Sequence, residues 1–129
     1  MRLGYVIIHV PDVSAALAFY ERAFGFERRF VAPGGEYGEL QTGDTALAFA
    51  AETLIAQYGL GVRENRTDQA PAGIEIALVT DDVSTAYAKA IAAGATPAKP
   101  PAEKPWGQTV AYVRDLNGFL VEICSPIGG

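Results

Sequence analysis

The chain has 129 residues, half of them hydrophobic, and a formal net charge of −5. This length suits one domain, or two half-domains that share a core, and the apolar half is enough to bury that core. The acidic balance argues against nucleic-acid binding, which needs a basic face. The single cysteine, Cys124, excludes a disulfide framework within one chain. No segment resembles a signal peptide or a membrane span, so we expect a cytoplasmic protein without nucleic-acid or membrane partners.

The first elements predicted are a strand, a tight turn and a helix. The β-branched run Tyr5–Val10 predicts the strand, and Pro11 ends it because proline cannot donate to a strand ladder. Asp12 is a good helix N-cap, and apolar residues then recur at helical spacing over 13–24. Gly25 predicts the end of this helix.

Three further strands complete a first module, with turns rich in glycine between them. They are predicted at 27–31, 36–41 and 46–51. Residues 52–73 then form a charged linker that begins with one or two helical turns.

The same plan returns 70 positions later, where Asp82-Val83-Ser84 repeats Asp12-Val13-Ser14. The second module is predicted as a strand, a helix, a short extended piece, a proline-rich loop that cannot be a central strand, and two final strands, at 74–79, 83–93, 95–98, 99–105, 108–114 and 119–125. The repeat predicts an α+β fold of two βαβββ modules, about 1–51 and 74–126, related by a pseudo-two-fold axis within a single domain, 1–129.

Alternation along the strands brings a small set of side chains to one face. Tyr5 and His9 share a face of the first strand, and Glu75 is the repeat of Tyr5. Glu122 in the last strand is the repeat of Ala48. If the sheets curve, Tyr5, Ala48, Glu75 and Glu122 would surround one cavity.

Three stretches match one known family: the strand before VPDVSAALAFYERAFGF, its repeat at LVTDDVSTAYAKAIAAGA, and the ending PWGQTVAYVRDLNGFLVEI. Together they resemble the vicinal oxygen chelate superfamily, which includes glyoxalase I, extradiol dioxygenases, and the bleomycin and fosfomycin resistance proteins. The resemblance covers nearly the whole chain. It implies paired modules that form a cup-shaped mixed sheet with helices outside, often completed by a second subunit, so we expect a homodimer.

The resemblance also implies four metal-ligand positions, which fall on Tyr5, Ala48, Glu75 and Glu122. Only Glu122 is the residue that the glyoxalase pattern expects, since Glu75 stands where histidine is usual and Ala48 has no donor atom. Zinc, nickel and iron sites rely on imidazole. We therefore expect no standard metal site. The alternative is zinc, nickel, manganese or iron held by Glu75 and Glu122.

Two further residues have open interpretations. His9, the only histidine, either contributes to ligand binding, as the related position does in glyoxalases, or bonds to a backbone carbonyl. Trp106, the only tryptophan, is either a stacking platform for a planar or cationic ligand or a cap on the core or on a dimer interface.

Glu75 and Glu122 either share a proton or pair with arginines such as Arg114.

Three hypotheses follow from these residues. The first is a protein that binds a small cationic or aromatic molecule without chemistry. The second is a metal-dependent lyase, isomerase or dioxygenase of the glyoxalase type, with Glu75 and Glu122 as ligands. The third is metal-free acid–base catalysis by Glu75, Glu122, Tyr5 or His9. Whether the protein is an enzyme stays open at this point.

Overall fold

The computed structural model describes residues 1–128, which fall into two compact units with a boundary between Glu64 and Asn65. Each unit contains one four-stranded mixed sheet and repeats the order strand, helix, three strands. The predicted α+β fold of two βαβββ modules is therefore confirmed. The boundary lies inside the stretch 52–73 that the sequence predicts as a linker, and the helical turns at its start belong to the first unit.

The first unit runs through β1, α1, β2, β3, β4 and α2, at Tyr5–Val10, Val13–Phe24, Glu27–Val31, Tyr37–Gln41, Ala46–Ala51 and Glu52–Ala56. Its sheet has the strand order β1-β4-β3-β2. β1 pairs with β4 in parallel, and the other pairs are antiparallel.

The second unit runs through β5, α3, β6, β7 and β8, at Glu75–Val79, Val83–Ala92, Thr96–Glu103, Thr109–Arg114 and Leu120–Cys124. Its sheet has the order β5-β8-β7-β6, again with one parallel pair, β5 with β8. The two sheets therefore repeat each other strand for strand.

Helix α1 forms where local signals place it. The Asp12 side chain accepts a hydrogen bond from the Ala15 amide at 3.1 Å, and Gly25 adopts the left-handed conformation that ends the helix. Its apolar side packs on β3, where a Cβ added to Gly38 would lie 2.7 Å from Cδ1 of Leu17. No helix among residues 1–128 is long and apolar enough to span a membrane.

The proline-rich stretch departs from its prediction. Residues 96–103 form strand β6 rather than the predicted extended piece and loop. β6 lies at the edge of its sheet and its register shifts between Pro97 and Lys99 and between Lys99 and Ala102. An edge strand tolerates proline because its missing N–H can face away from the ladder. The loop prediction was therefore wrong for 99–103, whereas the exclusion of a central strand is confirmed.

Candidate functional site

The second sheet has a polar face, formed by Glu75, Tyr112, Glu122 and Cys124. Cross-strand partners share a face, and Glu122 lies opposite Ala77 on one side and Tyr112 on the other. Glu75 precedes Ala77 by two residues, which returns it to the same face. The alternate residues of β8, Val121 and Ile123, are buried. Strand register therefore brings the two predicted carboxylates together.

Glu122 is the acceptor at the centre of this face. Tyr112 Oη donates to Glu122 Oε1 at 3.0 Å, and Glu75 and Cys124 also form hydrogen bonds with Glu122. Desolvation, the hydrogen bond with Glu122 and the charge of Glu122 all raise the pKa of Glu75. A hydrogen bond between two carboxyl groups needs a proton, and the raised pKa of Glu75 favours the protonated form of that residue.

The two other donors on this face hold their protons firmly. Desolvation and the bond to Glu122 raise the pKa of Tyr112 to about 12. The same two causes raise the pKa of Cys124 to about 11, so the buried side chain is a thiol at neutral pH and not a nucleophile. Arg114 does not pair with either carboxylate, since its guanidinium donates to backbone carbonyls.

Trp106 joins this face through one intermediate residue. Its Nε1 donates to Gln108 Oε1 at 2.8 Å, and Gln108 also forms a hydrogen bond with Cys124. A chain of hydrogen bonds thus leads from Trp106 through Gln108 and Cys124 to Glu122. Trp106 is 62% exposed, so it does not close the core of its unit.

The equivalent face of the first sheet has its polar groups in different places. Ala48 is fully buried and lies opposite Glu39, whereas its repeat Glu122 lies opposite Tyr112. Glu39 is 8% exposed and accepts a hydrogen bond from Tyr37 Oη at 2.7 Å. Tyr5 lies two residues from Ile7, the partner of Ala48, and is exposed. Each face therefore holds one tyrosine-to-glutamate hydrogen bond, donated from β3 or β7.

His9 lies at the other end of β1, where it lines a cavity of about 450 Å³. We call this the His9 cavity. Its walls come from the end of β1, from α2 and from the segment that follows α2: His9, Glu52, Thr53, Ile55, Ala56, Gly59, Leu60, Gly61, Val62 and Glu64. The cavity is thus apolar, with one imidazole and two carboxylates. All of these residues belong to the first unit.

The residues at the four implied metal positions do not fit a metal of the usual kind. Ala48 offers no donor atom, Tyr5 offers only a phenol, and Glu75 stands where the resemblance implies histidine. Glu75 and Glu122 supply two carboxyl groups, and the raised pKa of Glu75 makes it a weaker ligand because metals bind the deprotonated form. Among residues 1–128, no three His, Cys, Asp or Glu side chains are grouped so that they could hold an ion.

Sequence reasoning missed several of these participants. Glu39 and Gln108 are buried polar residues whose partners are set by strand register and by a turn. One sequence signal could have pointed to Glu39. It lies in a predicted strand between Gly38 and Leu40, so its side chain belongs to the opposite face of the sheet from theirs. Glu52 and Glu64 fall in the segment that the sequence predicts as a linker, where nothing in the pattern points to a cavity.

Comparison with known proteins identifies the family. A family model described as the glyoxalase/bleomycin resistance protein/dioxygenase superfamily matches residues 2–123. No curated protein matches the chain.

Solved structures share the fold over nearly the whole chain. A glyoxalase-related enzyme from Fulvimarina pelagi is 21% identical with a TM-score of 0.83, covering 98% of this chain and 88% of that one. A glyoxalase/bleomycin resistance protein/dioxygenase family enzyme from Burkholderia phytofirmans PsJN is 26% identical with a TM-score of 0.76, covering 97% and 98%. A superfamily member from Sphaerobacter thermophilus DSM 20745 is 25% identical with a TM-score of 0.71, covering 98% of each chain. The chain belongs to the glyoxalase/bleomycin resistance protein/dioxygenase superfamily.

Proposed function

We propose that the protein binds a small organic cation with an apolar body, and that the His9 cavity is its site. The observation that carries this proposal is the lining of the cavity, which combines apolar walls with two glutamates. A volume of about 450 Å³ lies in the range of small-molecule sites, and such sites are mostly apolar with a few polar groups that orient the ligand.

The apolar walls favour a ligand with a hydrocarbon or aromatic part. Leu60 and Val62 are 67% and 47% exposed, and Ile55 is half-buried. A ligand that covers these side chains would remove apolar surface from water, which contributes about 25 cal/mol for each Å² buried.

The charge of the cavity selects the sign of the ligand. Glu52 and Glu64 line it, and no lysine or arginine does. A cation close to the half-buried Glu52 is held more strongly than it would be in bulk water, because screening is weaker there, and the exposed Glu64 adds a second charge of the same sign. His9 stands at the end of β1 on the same cavity, where its imidazole can orient a polar group of the ligand.

Binding of the cation, as proposed here, needs no metal ion. The support for this is the donor set at Tyr5, Ala48, Glu75 and Glu122, which lacks imidazole and has one apolar member. The metal-dependent lyase, isomerase or dioxygenase predicted as an alternative would need donors that these positions do not supply.

Calorimetric titration with benzyltrimethylammonium tests the proposal. Glu52→Gln and Glu64→Gln should each weaken binding about tenfold, since each removes a charge contact with the ligand. The matched control is Glu27→Gln, which makes the same charge change at an exposed residue of the same unit outside the cavity. The neutral isostere neopentylbenzene should bind at least about tenfold more weakly.

Dialysis against a chelator should leave the affinity unchanged. Equal affinity for the parent and both cavity variants would overturn the site. A loss of binding after chelation, restored by zinc, nickel, manganese or iron, would overturn the metal-free part alone.

A second copy of the chain is the partner that we propose. The support is the pair of strands that lie at one edge of each sheet, β1 and β5, which carry exposed apolar side chains. Unpaired edges with apolar side chains favour association with another chain.

A further inference from the structure

A second cavity lies at the start of β1, at the opposite end of the strand from His9. Its volume is about 570 Å³, and its charged and aromatic lining consists of Arg2, Arg29, Tyr5 and Asp44. We call this the arginine cavity. Leu3 and two glycines complete the lining, so little side-chain bulk fills it.

The charge of this cavity runs against that of the chain. The protein has 15 acidic and 10 basic residues, yet two arginines and only one carboxylate line this space. The carboxylate that Arg29 contacts, Glu39, is buried and is not part of the lining. The two guanidinium groups can therefore attract a small anion locally, although the molecule as a whole repels it.

Both guanidinium groups keep donors available. Arg2 Nη1 lies 3.5 Å from the Asp44 carbonyl oxygen, and Arg29 Nε lies 3.7 Å from Glu39 Oε1. These separations are long compared with the roughly 2.8 Å of a charge-assisted hydrogen bond.

Another arginine of the first unit shows the contrast, since Arg28 Nη2 contacts Glu21 Oε1 at 2.6 Å. A guanidinium has five N–H donors, so one long contact leaves most of them for a ligand.

We propose that the arginine cavity binds the anionic group, a carboxylate or a phosphate, of a small molecule. Guanidinium groups pair with the oxygens of a carboxylate or phosphate, and the Tyr5 phenol on the same lining is a further donor. The proposal is independent of the cation proposed for the His9 cavity, because the two cavities share no residue.

A structural role is the competing explanation. Arg2 contacts the turn at Asp44, and Arg29 contacts the buried Glu39, so both side chains tie neighbouring segments together. Loss of such ties lowers stability but does not create a saturable response to an added anion. The test must therefore measure binding and stability separately.

Titration with inorganic phosphate, followed by amide NMR shifts at constant ionic strength in chloride, makes that separation. A parallel titration uses acetate, and the tighter of the two names the anion class. We expect saturable shifts at Tyr5, Arg29 and Gly43, and a loss of affinity of about tenfold in Arg2→Gln and in Arg29→Gln. Arg29→Lys keeps the positive charge but loses the planar guanidinium that can donate two parallel hydrogen bonds. Its affinity for the anion should lie between those of the parent and Arg29→Gln.

Arg63→Gln is the control, since Arg63 is an exposed arginine of the same unit that does not line the cavity. The melting temperature of each variant shows whether it is folded. The proposal would be overturned if Arg2→Gln and Arg29→Gln bound phosphate and acetate with the same affinities as the parent. Shifts that chloride alone reproduces would also overturn it. Neither result would affect benzyltrimethylammonium binding, which tests the His9 cavity.

Discussion

The hydrogen-bonded carboxyl pair of Glu75 and Glu122 is the clearest feature of the second unit at the scale of residues. The pKa of Glu75 is raised by desolvation and by Glu122, so this carboxyl keeps its proton to a higher pH than an isolated glutamate does. Tyr112 and Cys124 donate to Glu122 as well. The pair is therefore an acid with a fixed position on the sheet, without an arginine partner.

Glu75→Gln should make stability less dependent on pH. A carboxyl whose folded pKa lies above its unfolded pKa stabilises the fold below the unfolded value, and this contribution is lost as the pH rises through the folded value. The amide keeps the shape and can still donate to Glu122, but it does not titrate. Urea unfolding of the parent from about pH 4 to 8 should show stability falling from the ordinary glutamate pKa upward. In Glu75→Gln this fall should be smaller. Glu103→Gln, at an exposed residue of β6, should follow the parent, and coincident curves for all three proteins would show that Glu75 is not protonated.

At the scale of elements, Arg114 ties the start of the second unit to its last hairpin. Its guanidinium donates to the carbonyl oxygens of Arg66 and Gln69 at 3.1 and 2.6 Å, and to that of Gly118 at 2.9 Å. Thr67 accepts a further bond at 3.3 Å. A stretch that the sequence predicts as an exposed linker is thus fastened to the end of β7 by one side chain.

Gly118→Ala should destabilise the second unit by about 2 kcal/mol or more. Gly118 has φ 87°, and an added Cβ would lie 2.6 Å from the Arg66 carbonyl oxygen and 2.7 Å from Arg114 Nη2. The matched control is Gly94→Ala, because Gly94 has φ 114° but nothing within 4 Å of the added atom. Urea unfolding should show a larger loss for Gly118→Ala. Equal losses would mean that only the backbone strain matters and that Arg66 and Arg114 shift to make room for the added methyl group.

Local sequence signals predicted most of the elements. The features that were missed depend on contacts between residues that are far apart in the sequence. α1 and β4 follow the predicted bounds because Asp12, Gly25 and a continuous apolar run act within the segment. β6 was missed because proline argues against a strand unless that strand is known to lie at an edge. The sequence does not show that β6 has a neighbouring strand, β7, on one side only. The repeat predicted that Glu75 and Glu122 would share a surface. Their hydrogen bond and the place of Gln108 depend on register and a turn, which the pattern does not encode.

The four sheet edges differ in a way that concerns the whole molecule. β2 carries charged residues and a register shift, and β6 carries prolines and two shifts, which are usual protections against edge pairing. β1 and β5 pair regularly and expose apolar side chains, among them Ile7 and Val79. Two edges are therefore protected and two are not.

We expect a dimer in solution on this basis. Light scattering after gel filtration should give a mass of about twice 13.6 kDa. Ile7→Lys and Val79→Lys should each shift the mass toward the monomer, because a lysine on an edge strand opposes pairing. Val31→Lys, on the protected strand β2, is the control and should keep the parent mass. A monomeric parent at high concentration would contradict the proposal.

Strand β1 fixes the distance between the two proposed sites. Tyr5 lines one proposed site and His9 the other, and the two lie four residues apart on the same face of one strand. At about 3.3 Å per residue, their Cα atoms are roughly 13 Å apart. A zwitterion whose ammonium and acid groups match that span would meet both cavities at once, and the second contact would form at high effective concentration. The strand would then select its ligand by length, so affinity across a series of ω-amino acids would pass through a maximum instead of rising steadily with chain length.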